Sequence, residues 1–214
     1  MSVPTNAAPA PTLSRQNRRI TPRSITVTAM LSAVAFALMF IEFPIPILIP
    51  SFVKMDLSDL PALLGSFSLG PVAGIFISLI KNVLHILIKG TTSGGVGELC
   101  NFLLGAVFSC VAGSLYLRRK SRKSAILGAV IGAAIMGVLS VPLNYYVTYP
   151  MYTKFMPIDE ILRLYQVIRP STNSLLECLV VFNMPFTFLK GMLDAVICFL
   201  IYKPLSPILH GKKP

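Results

Sequence analysis

Between Leu179 and Tyr202 the chain reads LVVFNMPFTFLKGMLDAVICFLIY. As an α-helix this run is long enough to cross the roughly 30 Å hydrocarbon core of a bilayer. Lys190 and Asp194 are its only charged residues. Lys190 lies about twelve residues, or about 18 Å of helix, from the C-terminal interface, too deep for its stem to snorkel out. An ionised amine left in lipid at that depth costs at least a few kcal/mol. The lysine must face the protein interior and have a partner there.

The rest of the chain fits a membrane-embedded helix. Hydrophobic residues make up 54% of the 214 positions and charged residues only 13%, about half the charged share of a soluble domain. Mean hydropathy is +0.74. One small core has no room for so much apolar surface, so the excess faces lipid. The four cysteines, Cys100, Cys110, Cys178 and Cys198, lie in or beside apolar runs without C-x-x-C spacing and read as small buried hydrophobes.

Six apolar segments are expected: Ile25–Ile41, Leu60–Gly70, Pro71–Ile88, Leu99–Leu117, Ser124–Val147 and Leu179–Tyr202. The second is too short to cross a bilayer alone. The proline-rich loop Glu42–Asp59 is apolar for a loop and is expected to fold back as a lid. Residues 148–173 read as a longer polar loop. The expected fold is therefore an all-α integral membrane protein, a six-helix transmembrane bundle with one short segment. Residues 1–22 read as a disordered cytoplasmic tail, 23–203 as the membrane domain and 204–214 as a basic cytoplasmic tail.

Arg15, Arg18, Arg19 and Arg23, the basic run Arg118–Lys123, and Lys203, Lys212 and Lys213 all fall at one side of such a bundle, with no acidic residue among them. The positive-inside bias places both termini in the cytoplasm. The net charge of +11 is segregated by membrane side. It therefore suits an anionic inner leaflet of the lipid bilayer, and no nucleic acid partner is expected.

No G-x-x-x-x-G-K-[ST], H-E-x-x-H or G-x-S-x-G pattern occurs, so no ATPase, catalytic or metal site is expected. Asn183, Thr187, Lys190 and Asp194 follow at i, i+4, i+7 and i+11, one polar stripe on an apolar helix. Two readings stay open: an internal Lys190–Asp194 ion pair that only supports packing, or the wall of a polar cavity. Asn183 and Thr187 favour the cavity, because neither is needed to neutralise a lysine. A second polar island, Pro142–Tyr152, holds Asn144 among Tyr145, Tyr146, Tyr149 and Tyr152. An interfacial aromatic belt accounts for the tyrosines as well as a ligand site does, but not for Asn144. Ala29, Ala33 and Ala37 form A-x-x-x-A-x-x-x-A, a small-residue face that lets another helix approach closely. His85 lies four residues after Lys81 and reads as a structural polar contact.

These residues together resemble a known family. MDLSDLPALLGSFSLGPVAGIFISLIKNVLHILIKGTTSGGVGELCNF, Met55–Phe102, is similar to a D-x-S-D-[IL]-P-A-L-[IL]-G signature followed by G-P-x-A-G, K-N-x-x-H and G-x-x-G-E-x-x-N-F. LNYYVTYPMY and PFTFLKG resemble later motifs of the same set. The family is the substrate-binding S components of energy-coupling factor (ECF) vitamin transporters, and within them the riboflavin-specific members. The resemblance covers about residues 25–202. It implies a non-enzymatic, high-affinity riboflavin-binding subunit without a cofactor of its own. It also implies assembly with a transmembrane scaffold subunit and two cytoplasmic ATPase subunits, the alanine face meeting the scaffold. The family's flavin contacts fall on Asn144, Thr187 and Lys190. Thr187 stands where the family pattern P-F-N-x-x-K has asparagine, and Asn183, one turn away, is the expected substitute. Flavin mononucleotide, with the same ring, stays open as a second substrate. An S component for another vitamin or precursor is the alternative. A membrane lipid or isoprenoid enzyme fits less well, because the basic-side loops lack the acids that metal-diphosphate chemistry needs.

Overall fold

The computed structural model describes residues 21–50, 53–91, 93–154 and 156–210, giving the backbone alone for 203–210. Most of the expected N-terminal tail, residues 1–20, and the last four residues of the basic tail lie outside the described residues.

Helix α1 is Pro22–Met39. It starts three residues before the expected Ile25 because Thr21 and Ser24 form a reciprocal cap and Pro22 occupies the first turn, where a missing N–H costs nothing. The next loop is not irregular. Strands β1, Phe43–Pro44, and β2, Lys54–Met55, pair antiparallel with Phe43 opposite Met55. Helix α2, Leu60–Leu69, is 10 residues long, about 15 Å, and does not cross a bilayer alone. Gly70 separates it from α3, Pro71–Lys89, at φ 108°, a region that favours glycine. Helix α4 is Val96–Arg118.

Helix α5 begins at Arg122, where Ser121 caps it by accepting from the Ser124 amide. It runs as α-helix to Leu143, widens to a π-helical turn over Asn144–Thr148, and closes with Tyr149–Tyr152. Helix α6, Ile158–Gln166, lies in the stretch expected as a polar loop. Its Ile161 and Tyr165, at i and i+4, are buried. Helix α7 starts at Leu175–Cys178, widens to a second π turn over Leu179–Asn183, and continues as Met184–His210. Helix therefore continues through part of the segment expected as the 204–214 tail.

Both π turns share a local feature. Each is followed one residue later by a proline, Pro150 after Tyr149 and Pro185 after Met184. A proline ring clashes with the carbonyl four residues back and cannot donate to it. Widening the turn relieves that crowding. The Tyr149 and Met184 amides accordingly donate to carbonyls five residues back, those of Asn144 and Leu179.

Five of the helical segments are long and apolar enough to cross a membrane, and α2 is the short sixth. Helices α2, α4, α5 and α7 enclose one apolar core that includes Leu63, Phe67, Phe108, Ala129 and Cys198. A second core at the other end joins Ile49 of the β1–β2 loop to Tyr149, Ile161, Tyr165 and Leu179. Outward-facing residues such as Met30, Val72, Leu87 and Leu200 are more than half exposed, as lipid-facing side chains are. Helices α4 and α5 touch along small residues. A Cβ on Gly128 would sit 2.8 Å from the Ala112 carbonyl, and one on Gly132 would sit 2.9 Å from that of Phe108.

Because those neighbours are backbone atoms, they cannot rotate away. Gly132→Leu is expected to destabilise the fold by about 1–3 kcal/mol or more. Thermal unfolding in detergent should show a clear drop in Tm. An unchanged Tm would contradict the close α4–α5 approach.

A cavity beside a cluster of two lysines and two aspartates

At the end of the bundle where α1 stops and α2 begins, the β1–β2 hairpin, α4, α5 and α7 surround a cavity of about 230 Å³. Asn144, Asn183, Thr187 and Lys190 all line it. Each asparagine stands at a π turn, Asn144 first in the α5 turn and Asn183 last in the α7 turn. Such turns interrupt the regular ladder and re-aim side chains, which is why they recur at functional sites.

The lysine's partner is not the one its own helix suggested. Lys190 Nζ lies 3.0 Å from Asp56 Oδ2 and 3.3 Å from Asp59 Oδ2. Asp59 also takes Lys81 of α3, whose Nζ is 2.5 Å from its Oδ1 and 2.7 Å from Ser58 Oγ. Two lysines thus meet two aspartates, and Asp59 bridges both. Asp194 is fully buried, yet neither of its carboxylate oxygens has a hydrogen-bond partner. Of the two readings left open, the internal Lys190–Asp194 ion pair is therefore not formed. The aspartates of the loop before α2 reach the amine from outside the helix and already balance its charge.

Burial alone would raise the Asp56 carboxyl. The charges of Lys190 and Lys81 and the Ser58 hydrogen bonds outweigh it and hold Asp56 well below the ordinary carboxylate range. Asp59 is likewise raised by burial and pulled down more strongly by Lys81 and Lys190. A carboxylate with a depressed pKa contributes stability that is complete above its unfolded value of 3.8 and fades as pH falls towards the folded value. The cluster therefore stays intact through mild acid.

Asn183 is held from behind. Tyr165 of α6 donates to Asn183 Oδ1 at 2.7 Å, and the Tyr149 and Tyr165 hydroxyls are 2.5 Å apart. Burial pushes the Tyr165 hydroxyl well up, so it stays a donor. With its oxygen engaged by Tyr165, Asn183 keeps its amide N–H₂ as its main hydrogen-bonding capacity, a donor. Asn144 Nδ2 donates to the Ser140 carbonyl at 2.8 Å, which leaves its second N–H and its carbonyl oxygen for other partners.

The four tyrosines of the polar island divide between the two readings. Tyr145 and Tyr146 face outwards, stacked edge to face at 5.0 Å, while Tyr149 and Tyr152 line the cavity. His85 and Lys81 have separate partners: His85 Nδ1 lies 3.3 Å from Glu98 Oε1. Glu98 also accepts from Thr91 Oγ1 at 3.0 Å, which anchors the glycine-rich loop next to Gly97 of the cavity wall. Ala29, Ala33 and Ala37 are exposed, while Ser32, Ala35 and Met39 form the buried side of α1.

Asp56, Asp59, Asn101 and Thr148 belong to the cavity and were not picked out in the sequence. The aspartates had a signal. Two lysines lie inside apolar helices of a chain with only eight acidic residues, and D-x-S-D sits directly before a third apolar segment.

The model of the family described as "ECF transporter, substrate-specific component" matches residues 23–202. The chain belongs to this family. This S component is 37% identical over 195 residues to the riboflavin transporter RibU of Staphylococcus aureus (strain TCH60), which covers 91% of this chain and 94% of that protein. It is 34% identical over 192 residues to the riboflavin transporter FmnP of Bacillus subtilis (strain 168), covering 89% and 96%. The solved S component of a bacterial ECF transporter matches it with a TM-score of 0.68 and 34% identity, over 89% of this chain and 98% of that one.

Removing one partner of a buried ion pair leaves an uncompensated charge. Lys81→Met is therefore expected to cost about 3–5 kcal/mol. Lys81→Met with Asp59→Asn should cost clearly less than the sum of the two single changes, measured by thermal unfolding in detergent. Strictly additive losses would contradict the coupling. The wild-type Tm should hold between neutral pH and mild acid, and fall only as pH drops below the usual carboxylate range.

Proposed function

We propose that this S component binds riboflavin in the cavity and hands it to an ATP-driven ECF transporter for uptake. The observation that carries this reading is the convergence of Asn144, Asn183, Thr187 and Lys190 on one cavity, in a chain 37% identical to a riboflavin transporter. The isoalloxazine edge presents an N–H between two carbonyls, with further ring nitrogens. Asn144 supplies an acceptor for the N–H. Lys190, Asn183 and Thr187 supply donors for the carbonyls and ring nitrogens. Tyr149, Tyr152 and Phe186 supply ring walls. Thr187 is shorter than the asparagine of the family pattern, and the Asn183 amide takes over its donor role. Binding needs no covalent step and no cofactor, so the chain acts as a carrier and not as an enzyme.

The β1–β2 hairpin is the lid. It brings Val53, Lys54 and Asp56 to the cavity, and Glu42 fastens it by pairing with Lys54 at 2.7 Å and with Lys89 of α3 at 3.2 Å. The opposite end of the bundle carries the basic residues and no acid, so it faces the cytoplasm, with both termini there and the lid outside. The scaffold subunit meets α1 along Ala29, Ala33 and Ala37, and two ATPase subunits energise the complex.

The purified protein is expected to carry the visible absorption band of a flavin, or to acquire it on titration with riboflavin. Titration with flavin mononucleotide and with other vitamins tests the selectivity. Lys190→Met and Asn144→Leu should each weaken riboflavin binding by about one to two orders of magnitude, the worth of a charge-assisted or buried hydrogen bond. Selective binding of another vitamin, with no flavin signal, would overturn the reading. Ala33→Leu should leave riboflavin binding by the isolated subunit intact and abolish uptake by the assembled transporter. Unchanged uptake would remove α1 from the partner interface.

A further inference from the structure

A second cavity, of about 350 Å³, lies at the other end of the bundle, between α2, α4, α5 and α7. Its walls are aromatic: Phe67, Tyr116, Phe199 and Tyr202. Phe67 stacks on Phe199 at 5.9 Å and meets Tyr116 edge-on at 5.3 Å. Its rim is cationic, formed by Lys120 and Arg122 of the α4–α5 turn. That turn is tight: the Ser121 amide donates to the Arg119 carbonyl at 2.7 Å, and Ser124 Oγ reaches back to the Leu115 carbonyl at 2.7 Å. The two cations are therefore presented on a fixed frame. Neither has an ion-pair partner among the described residues, and no acidic residue lines the cavity.

We propose that this cavity is a binding site for an anionic phospholipid, whose phosphate pairs with Lys120 and Arg122 while its glycerol and upper acyl chain lie along the aromatic walls. Charge complementarity selects an anion. It also excludes the chain's own ends, because residues 1–22 and 203–214 contain basic residues and no acid and would be repelled. The aromatic walls select an amphiphile over a small hydrated anion. The position fits as well, since Leu127 of α5 and Leu200 of α7 are more than half exposed and meet lipid tails. A basic pocket between transmembrane helices at a membrane surface is a recognised form of headgroup site. The site is remote from the riboflavin cavity and shares no lining residue with it.

The test is native mass spectrometry of the delipidated full chain. The probes are phosphatidylglycerol, phosphatidylcholine with the same acyl chains, and glycerol phosphate as the free headgroup. Phosphatidylglycerol should give the dominant adduct. Lys120→Gln with Arg122→Gln should reduce it by about tenfold without moving the Tm, since both residues are exposed. The control Arg118→Gln with Lys123→Gln removes the same charge outside the cavity and should keep the adduct. Equal loss in both double variants would mean diffuse attraction to basic residues and would overturn the site, as would no loss in the first. Glycerol phosphate binding as well as the lipid would make it a free-anion site. An adduct on the isolated subunit that is absent from the assembled transporter would assign the cavity to a protein partner.

Discussion

Asp59 holds the structure together at the point where three elements have to meet. Its carboxylate lies between Lys81 of α3 and Lys190 of α7, and it stands immediately before the first turn of α2. Neither lysine tolerates lipid, and α2 is too short to span on its own. The shared ion cluster resolves both difficulties by drawing the two lysines inward onto the start of the short helix. Buried ion pairs are weak sources of net stability but costly to break on one side. The cluster therefore specifies an arrangement: it fixes α3, α7 and the loop before α2 in a single register. The cavity lies beside that cluster.

The walls depend on a different device. A proline follows directly after Tyr149 and Met184, and each of the two long helices widens into a π turn just before it. The widened turns carry Asn144 and Asn183, and α6 locks one of them through the Tyr149–Tyr165–Asn183 hydrogen bonds. Asn183, whose oxygen is taken by Tyr165, keeps its amide N–H₂ as a donor, and Asn144 keeps its oxygen as an acceptor. A regular helix would place neither group in this way. The cluster is electrostatic and the walls carry the widened turns, and Asp56 joins them by bringing the β1–β2 hairpin onto Lys190.

Much of this was legible in the sequence, for definable reasons. Long apolar runs and the depth of Lys190 are local facts, and they gave the segments, the short second helix and an inward-facing lysine. The i, i+4, i+7 stripe placed Asn183, Thr187 and Lys190 on one face. What spacing did not supply was the partner of the lysine. Spacing along one helix made Asp194 the nearest acid in sequence, whereas the real partners lie 134 residues away in the case of Asp56. Helical periodicity carries no information about contacts between helices, so only the scarcity of acids in an apolar chain hinted at D-x-S-D. The hairpin and α6 were missed because both are short, and each is stabilised by what it packs against more than by its own pattern. The π turns left a trace in the Tyr-Pro and Met-Pro pairs.

The Asp56–Lys190 pair ties the segment after β2 to α7 at the cavity, and on the proposed function it holds the hairpin closed over the bound flavin. The most direct measurement is the rate at which bound riboflavin leaves the purified protein, followed by flavin fluorescence, for the wild type and Asp56→Asn. The substitution keeps the size of the side chain and removes the charge that holds the loop to α7. Asp56→Asn is expected to release riboflavin faster by about one to two orders of magnitude, the worth of a charged hydrogen bond. A dissociation rate that is unchanged, or slower, would contradict it.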